Sequence, residues 1–142
     1  MKIILGADHG GFELKNKIKE LLVNKGIEVV DVGAFELNTN DDFVDYAKEA
    51  ISKFLDGDRL ILFCRNGYGM SIMANRYKGI RCGIAFDEKA VEKGRNDDDI
   101  NCLSVPSDYI DESKVIKMID IFLNAVFSGD ESYVRRINKI DN

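Results

Sequence analysis

Apolar positions along the chain alternate five times between a strand-like run and a helical repeat. Lys2–Gly6 is a short apolar run that leads into Ala7-Asp8-His9-Gly10-Gly11. From Phe12 the pattern changes: Leu14, Ile18, Leu21 and Leu22 recur at helical spacing, Glu13 and Lys17 can pair one turn apart, and Gly26 stops the helix. Ile27–Val32 reads as a second strand, followed by a loop over 34–40. Asn40 or Asp41 caps a helix whose inner face is Phe43, Ala47, Ala50, Ile51 and Phe54.

The third strand, Leu60–Phe63, ends on Cys64. It passes a turn holding Gly67 and Gly69 and enters a helix through Met70 and Met73 to about residue 77. Gly79 leads into a fourth strand, Ile80–Phe86, and Asp87 caps a short helix reaching Glu92 or Lys93. The polar segment 94–99, with Asp97–Asp99 as a solvated turn, precedes a fifth strand, Ile100–Val105, which Pro106 breaks. The longest helix carries Val115, Met118, Ile119, Phe122, Leu123 and Val126 and ends at Gly129. A last short helix, Ser132–Lys139, holds Arg135 and Arg136.

This alternation, with strands three to five apolar on both sides, predicts the α/β class: a five-stranded parallel sheet covered on both faces. No repeat or linker divides residues 1–142, so a single domain is expected. A net charge of −5 without a basic block argues against nucleic acid as a partner. No apolar run approaches the roughly 18 residues of a membrane span, so no membrane partner and a cytoplasmic location are expected. Three cysteines, Cys64, Cys82 and Cys102, without Cys-x-x-Cys spacing suggest free thiols, with Cys82 and Cys102 in the core. One histidine and no ligand cluster leave no metal site expected.

In open parallel sheets ligands bind beyond the carboxyl ends of the strands. That edge would carry Asp8-His9, the segment Cys64–Gly69 and the turns at 86–88 and 106–108. A thiol before a glycine turn and a helix start lies among backbone N–H groups, which attract anions and lower a thiol pKa. The same pattern suits a buried structural cysteine, and Asp8 can simply cap the first helix. A Cys-x5-Arg phosphatase loop is excluded, because Met70 stands six after Cys64. A receiver domain is excluded too, because Cys64 occupies the acceptor position, and Gly6-Ala7-Asp8-His9-Gly10-Gly11 is no dinucleotide fingerprint.

Taken together, Gly6-x-Asp8-His9-x-Gly11-x-x-Leu14-Lys15, Asp31-Val32-Gly33, Asp42-x-x-Asp45-Tyr46-Ala47 and Cys64-x-x-Gly67-x-Gly69-x-Ser71-Ile72-x-Ala74-Asn75-x-x-x-Gly79-Ile80-Arg81 resemble the type B ribose-5-phosphate isomerases and the galactose-6-phosphate isomerases. The resemblance spans nearly the whole chain. It implies a Rossmann-like, three-layer α/β/α sandwich working as a homodimer or tetramer, with sites built from both subunits. It also implies an aldose–ketose isomerisation of a phosphorylated sugar through an enediolate, without a metal or organic cofactor. By this resemblance Cys64 is the C–H base, Asp8 handles sugar hydroxyl protons, and His9 meets the phosphate or a hydroxyl. Backbone N–H groups of residues 65–69 would face the oxyanion. Arg65, Gly67, Gly69 and Arg136 would contact substrate, and Asn96 would reach it from the neighbouring subunit.

Several positions depart from the family pattern. Cys-Gly-Thr-Gly is here Cys64-Arg65-Asn66-Gly67, so an amide that can stabilise an oxyanion replaces the proton-donating threonine. His-Asn-Asp is here Arg95-Asn96-Asp97, and arginine cannot replace imidazole as the acid/base pair that opens a sugar ring. Phosphate-binding positions fall at Pro106 and Ser132. On one account Arg65 and Arg95 take over the anion grip for an altered substrate, such as a tetrose phosphate or an acidic sugar that needs no ring opening. On the other, the chain is a catalytically impaired sugar-phosphate binder or the partner subunit of a heteromeric isomerase.

Overall fold

The computed structural model describes residues 1–142. In chain order the elements are β1 (Ile3–Ala7), α1 (Phe12–Asn24), β2 (Val29–Asp31), α2 (Phe43–Ser52), β3 (Arg59–Cys64), α3 (Tyr68–Ala74), β4 (Cys82–Ile84), α4 (Glu88–Asp98), β5 (Cys102–Pro106), α5 (Glu112–Asn124) and α6 (Glu131–Ile137). The five strands form one parallel sheet in the order β2-β1-β3-β5-β4.

Side chains alternate across a strand, so each central strand feeds two cores. Ile3, Leu5, Ala7, Ile61 and Phe63 pack under α1, α4 and α5. Ile4, Leu60, Leu62, Cys64 and Cys102 pack under α2 and α3, against Ala47, Ala50, Met70 and Ala74. Burial on both faces is why β1, β3 and β5 are continuous apolar runs. The expected three-layer α/β/α sandwich is what the chain forms. Edge strands β2 and β4 are only three residues long and half-buried, shorter than their apolar runs suggest. Cys102 is core as expected, whereas Cys82 on β4 is half-buried.

Two boundaries need correction. The helix expected to be the longest, α5, is no longer than α1 and stops at Asn124, where Ala125 turns extended, so Val126 lies outside it and is exposed. The short helix does not stop at Glu92 or Lys93: α4 runs to Asp98, so Asp97 and Asp98 are helical, and it ends on Asp99 in the left-handed region at φ +47°. Its start matches the sequence, with the Asp87 carboxylate accepting from the Ala90 N–H at 3.0 Å. Its extension follows from Arg95, whose guanidinium turns into the protein as described below.

The strand order sets the position of any site. β1 leads outward to β2, while β3 restarts on its other side, so the chain diverges between β1 and β3. A crevice at such a divergence opens beyond the strands' carboxyl ends. Asp8 follows β1 there, and Cys64 ends β3.

Candidate active site

Cys64 closes β3 with its side chain toward α3, 5% exposed. Gly67 begins α3 with φ +79°, a left-handed conformation that glycine adopts without a Cβ clash. That turn folds the backbone N–H groups of Met70, Gly67 and Asn66 onto the thiol. Burial nonetheless dominates and pushes the Cys64 thiol above its ordinary value, with the neighbouring Asp8 charge adding to the rise. This corrects the expected lowering: the helix start supplies donors, but the site is too dry for them to prevail in the free protein.

Asp8 is 7% exposed, and its Oδ1 accepts from the Gly10 and Gly11 N–H groups at 2.9 and 3.2 Å. Burial raises the carboxyl above its ordinary range against those bonds and the nearby His9. A carboxyl raised in the fold opposes folding when ionised, a cost that disappears as pH falls through its folded and then its unfolded pKa. Asp8→Asn, which keeps an oxygen acceptor, is therefore expected to raise the unfolding midpoint at pH about 7 and to lose that advantage at about pH 4. Thermal unfolding at the two pH values checks this.

His9 is held by Asp41, a residue the sequence pattern marks only as a helix cap. His9 Nδ1 lies 2.6 Å from Asp41 Oδ1, and the His9 backbone N–H donates to the same oxygen at 3.2 Å. Burial first, then the Asp41 carboxylate, pushes the Tyr46 phenol up. No spacing rule links positions 9 and 41; only the packing of the loop after β2 onto the end of β1 joins them. Its contacts are the Ala7 N–H to Gly33 O and the Ala34 N–H to Ala7 O, at 2.8 and 2.7 Å. Asp8, His9 and Asp41 bring one ligand atom each within 4.8 Å of one another. This is a cluster that the spacing of these residues in sequence does not show, and the Nδ1–Oδ1 bond already engages one atom of His9 and one of Asp41.

The turn residues share this rim. Arg65 is exposed, its stem over Gly10 and its Nη1 3.1 Å from Asp108 Oδ2. Asn66 Oδ1 accepts from the Tyr68 N–H at 3.0 Å, leaving its amide donors free. The Gly67 carbonyl is anchored by Ser104 Oγ at 2.6 Å, and Gly69 carries the Phe43 ring against its backbone.

Arg95, Asn96 and Arg136 lie elsewhere in the chain. Arg95 is 3% exposed; its Nη1 donates to Asp99 Oδ1 at 2.7 Å and to Ile100 O at 2.6 Å, and its Nε to Ala125 O at 3.4 Å. The anion-grip reading of Arg95 does not suit a guanidinium spent on its own helix end. Asn96 Nδ2 donates to Val126 O at 3.2 Å, and Asn96 O accepts from the Ser128 N–H. Arg136 is exposed on α6 over the Tyr133 ring at 5.4 Å. None of their bonds reaches Asp8, His9 or the Cys64 turn.

A profile described as ribose/galactose isomerase matches residues 3–140. A crystal structure of a ribose 5-phosphate isomerase from Thermotoga maritima is 39% identical, with a TM-score of 0.93 over 99% of this chain and 97% of that one. Ribose-5-phosphate isomerase B of Mycoplasma genitalium, solved with bound ribulose-5-phosphate, is 37% identical, with a TM-score of 0.94 over 98% of this chain and 93% of that one. A 4-deoxy-4-sulfo-D-erythrose isomerase of Clostridium sp. (strain MSTE9) is 33% identical over 130 residues, 90% of this chain and 82% of the relative. With a match this long and a thiol, a carboxyl and a histidine gathered at the sheet's divergence, the chain belongs to the ribose/galactose isomerase family.

Proposed function

We propose that this chain is a cofactor-independent aldose–ketose isomerase for a short, anionic sugar, with Cys64 as the base that moves a proton between C1 and C2. The observation that carries it is the Cys64 sulfur at the β1/β3 divergence, with three backbone N–H groups on it and Asp8 alongside. Those amides stabilise a thiolate once formed, and a thiolate can take the acidic hydrogen beside a carbonyl. The Asn66 amide and the rim of the turn face the enediolate oxygens.

Arg65 holds the anionic end of the substrate. It is the exposed cation of the turn, and Asp108 fixes its direction. Arg95 is buried, so no side chain at position 95 opens a furanose ring. That favours an open-chain substrate such as a tetrose phosphate or sulfonate, a class also represented by the sulfo-erythrose isomerase among the relatives. Asn96 and Arg136 reach the site of a second copy in a homodimer.

The decisive experiment incubates four-, five- and six-carbon sugar phosphates and a four-carbon sulfo-sugar in deuterated water and follows deuterium entry at C1 and C2 by NMR. Exchange is expected with a four-carbon substrate. Binding without exchange across the panel would make the chain a sugar-phosphate binder instead. Arg65→Ala should raise KM by at least about tenfold, in line with losing a charge-assisted bond, while leaving kcat within a few-fold. An unchanged KM would remove Arg65 from the substrate grip.

A further inference from the structure

We propose that Asp41 is a positioning residue that locks the His9 ring with its proton on Nδ1, so that Nε2 is a proton acceptor for a sugar hydroxyl rather than a donor to the anionic group. The inference rests on the isomerase reading above. Asp41 grips His9 at two points: Oδ1 takes both the ring Nδ1 at 2.6 Å and the His9 backbone N–H at 3.2 Å. Its side chain is 6% exposed, and the Tyr46 phenol lies close enough for the carboxylate to push it up. The other buried carboxylates of the chain are bonded differently. Asp8 takes two loop N–H groups, Asp31 two lysines and an N–H, and Asp58 Lys2 and two N–H groups. A buried carboxylate oxygen that holds both the ring nitrogen and the backbone N–H of one histidine fixes that ring's tautomer and orientation.

The chemistry follows from the tautomer. A neutral ring with hydrogen on Nδ1 has only a lone pair at Nε2. It can accept from a hydroxyl but has nothing to donate to a phosphate or sulfonate. In the aldose-to-ketose direction Cys64 carries a proton from C2 to C1, while O2 must lose a proton and O1 gain one. His9 Nε2 takes the O2 proton, and the O–H bonding pair stays on oxygen. The imidazolium so formed faces Asp41, and the same proton passes to O1, restoring the neutral ring. No outside oxidant, reductant or proton is consumed. Proton transfer between the two oxygens is thereby assigned to His9 instead of to Asp8, whose Oδ1 is engaged by the Gly10 and Gly11 N–H groups.

The chain has one histidine, so its ring signals need no assignment. Histidine-selective ¹⁵N labelling, read at a pH where the ring is neutral, is expected to show hydrogen on Nδ1 and a lone pair on Nε2. Asp41→Ala is expected to release the ring to the Nε2–H form and to lower kcat about 10- to 100-fold with KM within about twofold. Wild-type protein with its hydrogen on Nε2 overturns the proposal, and so does a variant with changed KM and wild-type kcat. The wild-type spectrum decides even if the variant does not fold. Cys64→Ala separates the two levels: it must keep the wild-type tautomer whether or not the isomerase assignment stands.

Discussion

Cys64→Ala is expected to abolish measurable deuterium exchange into substrate while leaving fold and ligand affinity nearly intact. Loss of a positioned base costs about 10²–10⁴-fold. Removing a sulfur from the α2/α3 core leaves only a small void, and no other side chain at the rim replaces it. The pH profile carries a second signature. Burial pushes the Cys64 thiol up, so the thiolate is the minor form at neutrality. In the free enzyme kcat/KM should keep rising with pH toward and past the ordinary thiol value of about 8.5. Full exchange in Cys64→Ala, or a profile that levels off in the acid range, would assign the base to another group.

Lys15→Met is expected to be the most destabilising single change outside the site. Lys15 is completely buried, its Nζ 2.7 Å from Asp31 Oδ1 and 2.6 Å from Ala34 O, with the Phe12 and Phe35 rings nearby. Removing one partner of a buried ion pair strands the other and costs about 3–5 kcal/mol. Lys19, which also holds Asp31 at 2.9 Å, keeps the expected loss near the lower value, about 3 kcal/mol, or roughly 10 °C in Tm for a chain of this size. Burial alone would raise the Asp31 carboxyl, but Lys15, the Gly33 N–H and Lys19 together hold it below its ordinary range. The pair's contribution is therefore complete above about pH 4 and fades as pH falls through the lower folded pKa. The gap between wild type and Lys15→Met in denaturant unfolding should narrow in that acid window. An equal gap at pH about 7 and about 2 would contradict the ion-pair account. Because Lys15 also clamps the loop that carries Asp41, the variant should lose activity at temperatures where it is still folded.

The burial of Arg95 reverses an expectation that its sequence position invites. Replacing it with the family's histidine looks like a route to ring-opening activity. In this fold Arg95 ties Asp99 and two carbonyls at the end of α4. A shorter imidazole leaves those acceptors unpaired, which destabilises the helix end before it can aid catalysis.

The alternation of apolar runs with helical repeats was enough to determine the class, the number of strands and the two-sided sheet. Both signals are local, because strand and helix periods are properties of the backbone itself. The Cys64 turn was legible for the same reason: thiol, glycines and helix start are neighbours in sequence. The end of α4 was not. Gly94-Arg95-Asn96-Asp97-Asp98 has weak helical propensity, and only contacts with Ile100 and the segment after α5 override it. Strand order was not legible either, since a pattern of buried faces is the same whether β5 lies at the edge or between β3 and β4. Tertiary structure alone decided three things: that Asp8 and Cys64 meet at the divergence of the sheet, that Asp41 crosses 32 positions to hold His9, and that burial outweighs the amide donors at Cys64. Each depends on distances and on exclusion of water between parts of the chain far apart in sequence, which no local pattern encodes.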